Sequence, residues 1–229
     1  MEDPVKRRPY DNSRRQASVR ATRADVIAVA RRLFIERGYP ATTIEAIGEE
    51  AGVPLATVYR LFGSKRGILA AVLDVSLGGD DEPIAFGDRP AVQTALAQPD
   101  PYQLLTDFAR ICRALLDRSA PILRALAGAA HVDPEAAEYL AITAEQRLRG
   151  QSRIARVLAE RQMLASGVSE AAAADIIFTL MSPEVHRILT VERGWSADQY
   201  EHWLTTTLCA VLLPEPPARD AGVDSDANG

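Results

Sequence analysis

Hydrophobic residues recur three or four positions apart through most of this chain, which is the spacing of amphipathic α-helices. A first helix is predicted from Thr22 to Gly38, and its apolar side holds Val26, Ile27, Ala30, Leu33 and Phe34. Two short segments follow, "TTIEAIGEEAG" and "VPLATVYRLFG". Each ends in glycine, a residue that commonly terminates helices, so each predicts a short helix. A fourth helix is predicted from Ser64 toward Gly78.

The helical spacing resumes after a Gly-, Pro- and Asp-rich connector. Further helices are predicted to start near Pro101, Pro121, Pro134, residue 169 and Ser196. Proline suits the first turn of a helix because its missing N–H has no partner there. No segment shows the alternation of a β-strand, so the sequence predicts an all-α fold.

Both ends of the chain lack helical spacing and are rich in charged residues or proline, which favours disorder. The predicted organisation is a disordered basic arm at 1–19, a first helical domain at 20–80, a connector at 81–100, a second helical domain at 101–213 and a disordered tail at 214–229.

The distribution of charge favours a phosphate-binding surface in the first third of the chain, and the cysteine spacing argues against a metal or redox site. Residues 1–70 carry 13 Lys and Arg against 8 Asp and Glu, although the whole chain has a net charge of −5. A basic first third on an acidic body is compatible with a local phosphate-binding surface. The two cysteines, Cys112 and Cys209, lie far apart and match no metal or redox spacing. We expect a cytoplasmic protein, since neither a secretory signal nor an apolar membrane span is present.

Three helices separated by breaks at Gly38 and Gly52 have the arrangement of a helix-turn-helix, although an ordinary helical hairpin in a core would give the same pattern. The segment "ARRLFIERGYPATTIEAIGEEAGVPLATVYRLFGSKRGILAAVLD", from Ala30 to Asp74, closely resembles the DNA-binding domain of the tetracycline-repressor (TetR) family. The resemblance covers about residues 20–80, with the helix-turn-helix at about 43–62. It implies a ligand-responsive transcriptional regulator, most often a repressor, that binds a palindromic operator as a dimer. The larger domain would then bind an unidentified small-molecule effector and carry the dimer contact.

The resemblance also implies roles for individual residues. Phosphate contacts fall to Thr42, Thr43, Tyr59 and Lys65. Pro54 presets the start of the third helix, and base contacts fall to Leu55, Ala56, Thr57 and Arg60. Two alternatives stay open, because the Thr57 hydroxyl could instead stabilise the turn and Arg60 could reach only a phosphate.

The chain also departs from the family pattern. Pro54, Leu55 and Ala56 stand where small polar residues are common, so we expect contacts with thymine methyl groups and a dependence on DNA shape. Gly67 stands where an acidic residue often completes the helix cap, which predicts a weaker cap. Arg14, Arg15 and Arg20 of the arm either enter a minor groove or simply add charge.

The second domain gives less specific predictions. The resemblance implies an effector cavity, for which the candidate residues are Phe108, Ile111, Leu115, Leu126, Tyr139, Phe178 and Met181, although plain core is the simpler explanation of each. The last two helices carry apolar residues on more than one face, and the surplus predicts a dimer interface through Val185, Ile188, Leu189, Trp203, Leu208 and Leu212.

Other functional classes find little support in the sequence. No Gly-rich phosphate loop, nucleophile motif or cluster of metal ligands is present, so we expect no catalytic residues, no cofactor and no metal. A helical adaptor that only dimerises would explain the second domain but not the basic first third.

Overall fold

The computed structural model describes residues 12–82 and 84–215, with side chains from residue 14 onward. Every regular element in these ranges is helical, which confirms the all-α prediction. The helices are α1 Asn12–Arg37, α2 Ile44–Glu50, α3 Leu55–Phe62, α4 Lys65–Gly78, α5 Pro90–Ala97, α6 Pro101–Ala129, α7 Pro134–Glu160, α8 Glu170–Leu180, α9 Pro183–Arg187 and α10 Ala197–Leu212. Among the described residues, no helix combines the length and the hydrophobicity that a membrane span requires.

The first four helices pack around one apolar cluster. Its centre is formed by fully buried side chains of α1, α2 and α4, among them Leu33, Phe34, Ile47 and Leu69. Gly52 and Gly63 turn the chain before and after α3 with positive φ angles of 64° and 74°, a conformation that glycine adopts without steric cost. These two turns set the short α3 across the others with Val58 facing inward.

The cap that opens α2 lies one residue later than the sequence predicts. In the sequence, Thr42-x-x-Glu45 has the spacing of a capping box that starts at Thr42. The structure places the N-cap at Thr43, whose hydroxyl oxygen accepts a hydrogen bond from the Ala46 N–H at 3.1 Å. Thr42 is buried instead, with its hydroxyl turned toward α1.

Helix α6 belongs to both halves of the molecule. Its first part contributes Leu104, Leu105 and Phe108 to the core of the body. Its last part contributes Ile122 and Leu126 to the cluster of the first four helices. The predicted division into separate units at 20–80 and 101–213 is therefore incomplete, because the end of α6 completes the amino-terminal core.

The sequence predicts two helices meeting at Pro121, and this prediction is wrong. Helix α6 runs unbroken from Pro101 to Ala129 with Pro121 inside it. The proline cannot donate to the carbonyl of Asp117, four residues earlier, which normally costs about 3 kcal/mol. Burial of Ile122, Leu123 and neighbouring apolar residues in the amino-terminal core stabilises the continuous helix despite that cost.

The sequence predicts one helix from near residue 169 to residue 192, which Gly194 would end, but the structure divides this segment. Helix α8 ends at Leu180, and Ser182 caps α9 by accepting a hydrogen bond from the Val185 N–H at 3.1 Å. Pro183 occupies the first turn of α9, and a π-helical turn, Ile188–Glu192, follows directly. The Ser-Pro pair therefore starts a new helix.

The predicted flanking segments also differ from the structure where it describes them. Helix α1 begins at Asn12, so residues 12–19 of the expected disordered arm are helical, while residues 1–11 lie outside the described residues. The expected connector contains a 3₁₀ turn, Phe86–Asp88, and then α5, which buries Val92 and Leu96 against the body. Residue 83 and the expected tail from residue 216 onward also lie outside the described residues.

Candidate nucleic-acid interface

One face of α3 is open to solvent and carries most of the residues predicted to contact DNA. Leu55 and Tyr59 are 39% and 44% exposed, and Pro54, Ala56 and Arg60 are also exposed. Thr57 is half-buried, and its N–H donates to the Pro54 carbonyl at 2.8 Å. Arg60 forms no ion pair with any residue in the described ranges. The face therefore presents the apolar side chain of Leu55, the ring and hydroxyl of Tyr59, the cation of Arg60 and no carboxylate.

Thr42 corrects one of the predicted phosphate contacts. Its side chain is 1% exposed, and its hydroxyl lies 2.9 Å from the Gly38 carbonyl and 3.2 Å from the Leu33 carbonyl. Gly38 directly follows α1 and Leu33 lies in its next-to-last turn, so the Thr42 hydroxyl bridges the carboxy-terminal end of that helix. Thr42 thus closes the end of α1 and is not available to a phosphate.

Thr43 and Lys65 lie at helix starts that flank α3. Thr43 is exposed at the N-cap of α2, and its hydroxyl hydrogen remains free to donate. Lys65 opens α4, with Nζ 4.3 Å from the centre of the Tyr39 ring and 3.3 Å from the Pro40 carbonyl oxygen. Burial lowers the pKa of Lys65. The Tyr39 ring and the Pro40 carbonyl hold this ammonium group beside α3, and the exposed N–H groups of two helix starts add to its attraction for an anion.

The junction between α3 and α4 explains the glycine at position 67. Ser64 caps α4 by accepting a hydrogen bond from the Gly67 N–H at 3.1 Å. A Cβ atom at position 67 would lie 1.9 Å from the Phe62 carbonyl oxygen, so the close approach of the two helices needs glycine. The cap has only this one side-chain bond, and its lower strength stays a prediction.

Arginine side chains tie the helices of this unit to one another. Arg32 of α1 forms ion pairs with Glu36 and with Glu50 of α2. The guanidinium of Arg23 lies 4.9 Å from the centre of the Phe62 ring, at the end of α3, and also pairs with Asp81. These contacts hold α2 and α3 in position relative to α1, and the exposed face of α3 is therefore held in a fixed orientation.

A second set of contacts joins this unit to the body through the middle of α6. Arg118 donates from Nε to the Ser76 carbonyl at 3.1 Å and from Nη2 to the Leu77 carbonyl at 3.2 Å, both in the last turn of α4. The Arg118 carbonyl in turn accepts from Arg31 Nη2 of α1 at 3.0 Å. Residue 118 therefore holds α1, α4 and α6 together. The sequence reading missed it because a helical arginine far from the signature gives no signal of its partners.

The arginines predicted to extend DNA contact lie on the first turns of α1. Arg14, Arg15 and Arg20 are exposed there. They lie on a helix and not on a disordered arm, so any approach to a duplex would involve the helix α1 as a whole.

The residues predicted to line an effector cavity fall into two groups. Phe108, Ile111, Leu115 and Met181 lie in or against the core of the body, and Phe178 lies half-buried on α8. Leu126 and Tyr139 pack with the cluster of the first four helices instead. Those two residues are therefore far better described as core of the amino-terminal unit, because the end of α6 and the start of α7 cover it.

The residues predicted to form a dimer interface also separate. Ile188 is 42% exposed, and Val185, Leu189 and Trp203 are half-buried. Leu208 and Leu212 are fully buried in the body core and are not surface residues of the protomer. Two further apolar residues, Val191 and Val211, are 64% and 42% exposed.

Comparisons with known proteins agree with this geometry. Residues 26–72 match the family model for "Bacterial regulatory proteins, tetR family", which spans the interior of α1 through most of α4. A helix-turn-helix-type transcriptional regulator, AlkX of Mycobacterium tuberculosis, is 29% identical over 137 residues, or 52% of this chain and 63% of the relative. The uncharacterized regulator YvkB of Bacillus subtilis is 38% identical over 55 residues, or 24% of this chain and 29% of the relative. The matches thus span less than two thirds of these relatives' own lengths.

Solved structures share the fold over most of the chain. The SmeT–triclosan complex superimposes with a TM-score of 0.66 at 18% identity, covering 91% of this chain and 100% of the other. NalD of Pseudomonas aeruginosa, described as the secondary repressor of the MexAB-OprM multidrug efflux pump, gives a TM-score of 0.65 at 20% identity, covering 85% and 98%. The similarity therefore extends beyond the amino-terminal helices to the arrangement of the body.

Proposed function

Because this chain belongs, through its amino-terminal domain, to the TetR family of bacterial regulatory proteins, we propose that it is a transcriptional repressor that reads a palindromic operator as a dimer and is released by a small-molecule effector. The observation that carries the proposal is the open face of α3, with Leu55, Tyr59 and Arg60 exposed and no carboxylate among them. In a helix-turn-helix the second of the two helices, here α3, enters the major groove, so it must expose one face while it buries the other.

The chemistry of the side chains on this face assigns some of them to phosphates and others to bases. The Tyr59 hydroxyl, the Thr43 hydroxyl and the Lys65 ammonium group donate to phosphates on either side of the groove, which sets the register of α3. Leu55 and Ala56 at the start of α3 contact thymine methyl groups, because neither side chain can form a hydrogen bond. Arg60, one turn after Ala56, is the one side chain on this face that can form paired bonds to guanine.

Dimer formation is supported by the apolar surface at the carboxy-terminal end of the body. Ile188 and Val191 in the π-helical turn are exposed. On α10, Val211 is exposed and Trp203 is half-buried. Exposed apolar side chains of this size favour association, and a four-helix contact between two copies would bury them. Two-fold symmetry would place two copies of α3 about one DNA turn, ~34 Å, apart, as a palindrome requires.

The decisive experiment is selection of binding sites from random duplex DNA with the full chain, followed by quantitative binding of variants. Arg60→Ala should lower affinity and relax preference at one base pair of each half-site, at a cost of about 1–3 kcal/mol. Tyr59→Phe should weaken binding to all duplexes alike, because its partner is a phosphate. Arg149→Ala, which removes an exposed arginine from α7 of the body, is the matched control.

Two outcomes would refute the proposal. Failure of the wild-type chain to enrich any sequence would remove the regulator function. An unchanged motif and affinity for Arg60→Ala would show that Arg60 contacts neither a base nor a phosphate, which would remove the one guanine contact assigned to α3. Sedimentation at micromolar concentration tests the dimer separately, where a monomer without DNA would contradict it.

A further inference from the structure

A groove lies between the carboxy-terminal end of α1 and the last third of α6, on the amino-terminal unit. It has a volume of about 300 Å³ and is open to solvent on one side. Its apolar walls come from both helices and from the turn after α1, with Phe34, Ile35 and Pro40 on one side and Pro121, Ala125 and Gly128 on the other. No residue of α3 lines it, so the groove is distinct from the DNA-reading face.

The charge of the groove is positive. Arg124 of α6 is its one charged lining residue, and the exposed guanidinium forms neither an ion pair nor a hydrogen bond with any described residue. Arg31, one turn before Ile35 on α1, donates to the Arg118 carbonyl at 3.0 Å, one turn before Pro121 on α6. A second arginine therefore closes that end of the groove. No Asp or Glu lies among the lining residues, so the groove combines apolar walls with an unpaired cation.

The position of Gly128 shows that the groove is kept open by the absence of a side chain. Gly128 lies in the last turn of α6, and its φ angle is not positive, so the backbone there accepts any residue. A Cβ atom at this position would meet no other atom within 4 Å. Neither conformation nor packing within the fold requires glycine, although glycine is among the least favourable residues for a helix. A side chain at position 128 would occupy the groove.

The size of the groove limits its occupant to a small molecule. A water molecule occupies about 30 Å³ in the liquid, so the groove accommodates roughly ten non-hydrogen atoms. Ligand sites of this kind cover the apolar part of a molecule with hydrophobic walls and orient it through a few polar groups. Here the apolar part would contact Phe34 and Ile35, and an anionic group would pair with Arg124.

A carboxylate is the anion that this arrangement favours. The planar guanidinium of Arg124 matches the two oxygens of a carboxylate, which it can bind through paired hydrogen bonds. A phosphate monoester carries a charge of about −1.5 to −2, which is more than one unpaired arginine compensates. The carboxy-terminal ends of α1 and α6 also border the groove and carry partial negative charge. The carboxylate should therefore lie at Arg124, toward solvent, with the apolar part inside.

The groove spans the two helices that connect the DNA-reading unit to the body. Helix α6 contributes to both cores, and α1 holds α3 through the contact of Arg23 with the Phe62 ring. A molecule that contacts α1 and the end of α6 together would set the distance between these helices. Occupation of the groove would thus act on the position of α3 relative to the body.

We propose that the groove between α1 and α6 binds a small apolar carboxylate, that Arg124 pairs with its carboxylate group, and that this is an effector class of the protein. The effector role rests on the proposed function as a regulator. Binding itself does not, and it is measured without DNA.

The first test compares two probes that have the same size and differ in charge, 3-phenylpropanoate and 3-phenylpropanamide, each titrated calorimetrically into the full chain. The wild type should bind the carboxylate about tenfold more tightly, because the bond to Arg124 is then charge-assisted on both sides. Arg124→Ala should remove this preference and leave the affinity for the amide unchanged. Arg149→Ala, which removes an exposed arginine from α7, is the matched control and should keep the preference.

The second test fills the groove and leaves its charge in place. Gly128→Leu should abolish binding of both probes. Its urea unfolding midpoint should be no lower than that of the wild type, because leucine favours a helix more than glycine does and its Cβ meets no neighbour. Gly150→Leu is the matched control, since Gly150 of α7 also has open space around it and does not line the groove.

The outcomes separate the site from the regulator function. Absence of binding, equal affinity of the wild type for the two probes, or an Arg124→Ala protein that keeps the preference would each overturn the site. Unchanged binding to Gly128→Leu would overturn it as well, because the probes would then lie elsewhere. A lowered midpoint for Gly128→Leu would contradict the open space on which the groove depends. If the carboxylate binds as expected but leaves an operator complex intact, the site stands and the effector role fails.

Discussion

Arg118 offers the sharpest test of how the amino-terminal unit is attached to the body. Its guanidinium donates two hydrogen bonds to the free carbonyls of Ser76 and Leu77 at the end of α4. Both bonds are charge-assisted, and the cation also interacts favourably with the negative end of the helix dipole. Arg118→Ala should therefore leave two half-buried carbonyls without these donors.

The magnitude follows from the bond type. A hydrogen bond to a charged group contributes roughly 1.5–3 kcal/mol, and water partly replaces it at a half-buried site, so we expect Arg118→Ala to cost about 2–4 kcal/mol in all. With a urea m-value of about 3 kcal/mol/M, the unfolding midpoint should fall by about 1 M. Arg118→Lys keeps the charge but cannot span both carbonyls, so its midpoint should lie between the two.

The assay is urea unfolding followed by far-ultraviolet circular dichroism at fixed pH and salt. Arg124→Ala is the control, because Arg124 lies on the same helix, is exposed and forms no ion pair with a described residue. It should shift the midpoint only slightly. If Arg118→Ala and Arg124→Ala had the same midpoint, the attachment of α4 through Arg118 would be refuted.

Three further predictions follow from burial. Thr42→Val should destabilise the fold by about 1–3 kcal/mol, because it leaves the Leu33 and Gly38 carbonyls without this donor. Thr43→Val should cost about 1 kcal/mol through loss of the α2 cap and should also weaken DNA binding. Equal DNA affinity of the two variants at matched stability would contradict this. Cys112, whose pKa burial raises to about 12, should resist a thiol reagent at pH 8 until the protein unfolds, and half-buried Cys209 should react first, as timed labelling would show. Since α6 is shared by both cores, tryptophan fluorescence from the body and loss of DNA binding should follow one urea transition, and two separate midpoints would exclude a shared core.

The sequence was sufficient for the helices whose ends carry their own signals. Gly52 and Gly63 bound α3, and Ser64 and Ser196 cap the helices that they were expected to open. These signals are local, because a glycine with positive φ or a capping hydroxyl acts within one turn of its own position. The exposed residues of α3 could also be predicted, since Val58 alone fixes which side faces the core.

The errors arose where distant contacts decide the outcome. Pro121 is a helix-breaking signal that tertiary burial overrides, and only the packing of Ile122 and Leu126 against α1 and α4 reveals this. Thr42 and Thr43 are adjacent threonines with the same local chemistry, so only the position of the α1 carbonyls decides which hydroxyl is buried. The apolar positions of α10 predict that its faces are covered, but they do not distinguish the protomer's own core from a partner subunit. For this reason Leu208, which is fully buried in the core, was assigned to the dimer interface.

The composition of the α3 face has a consequence for how a duplex would be read. An apolar contact with a thymine methyl contributes less discrimination than a bidentate pair, which is worth about 1–3 kcal/mol. With Leu55 and Ala56 at the start of α3, Arg60 is the one exposed side chain of the helix that can form such a pair. Most affinity must then come from phosphate contacts, which are insensitive to sequence but sensitive to salt. Discrimination between operators would therefore depend on the deformability of the duplex, and in the proposed dimer it would be shared between two half-sites.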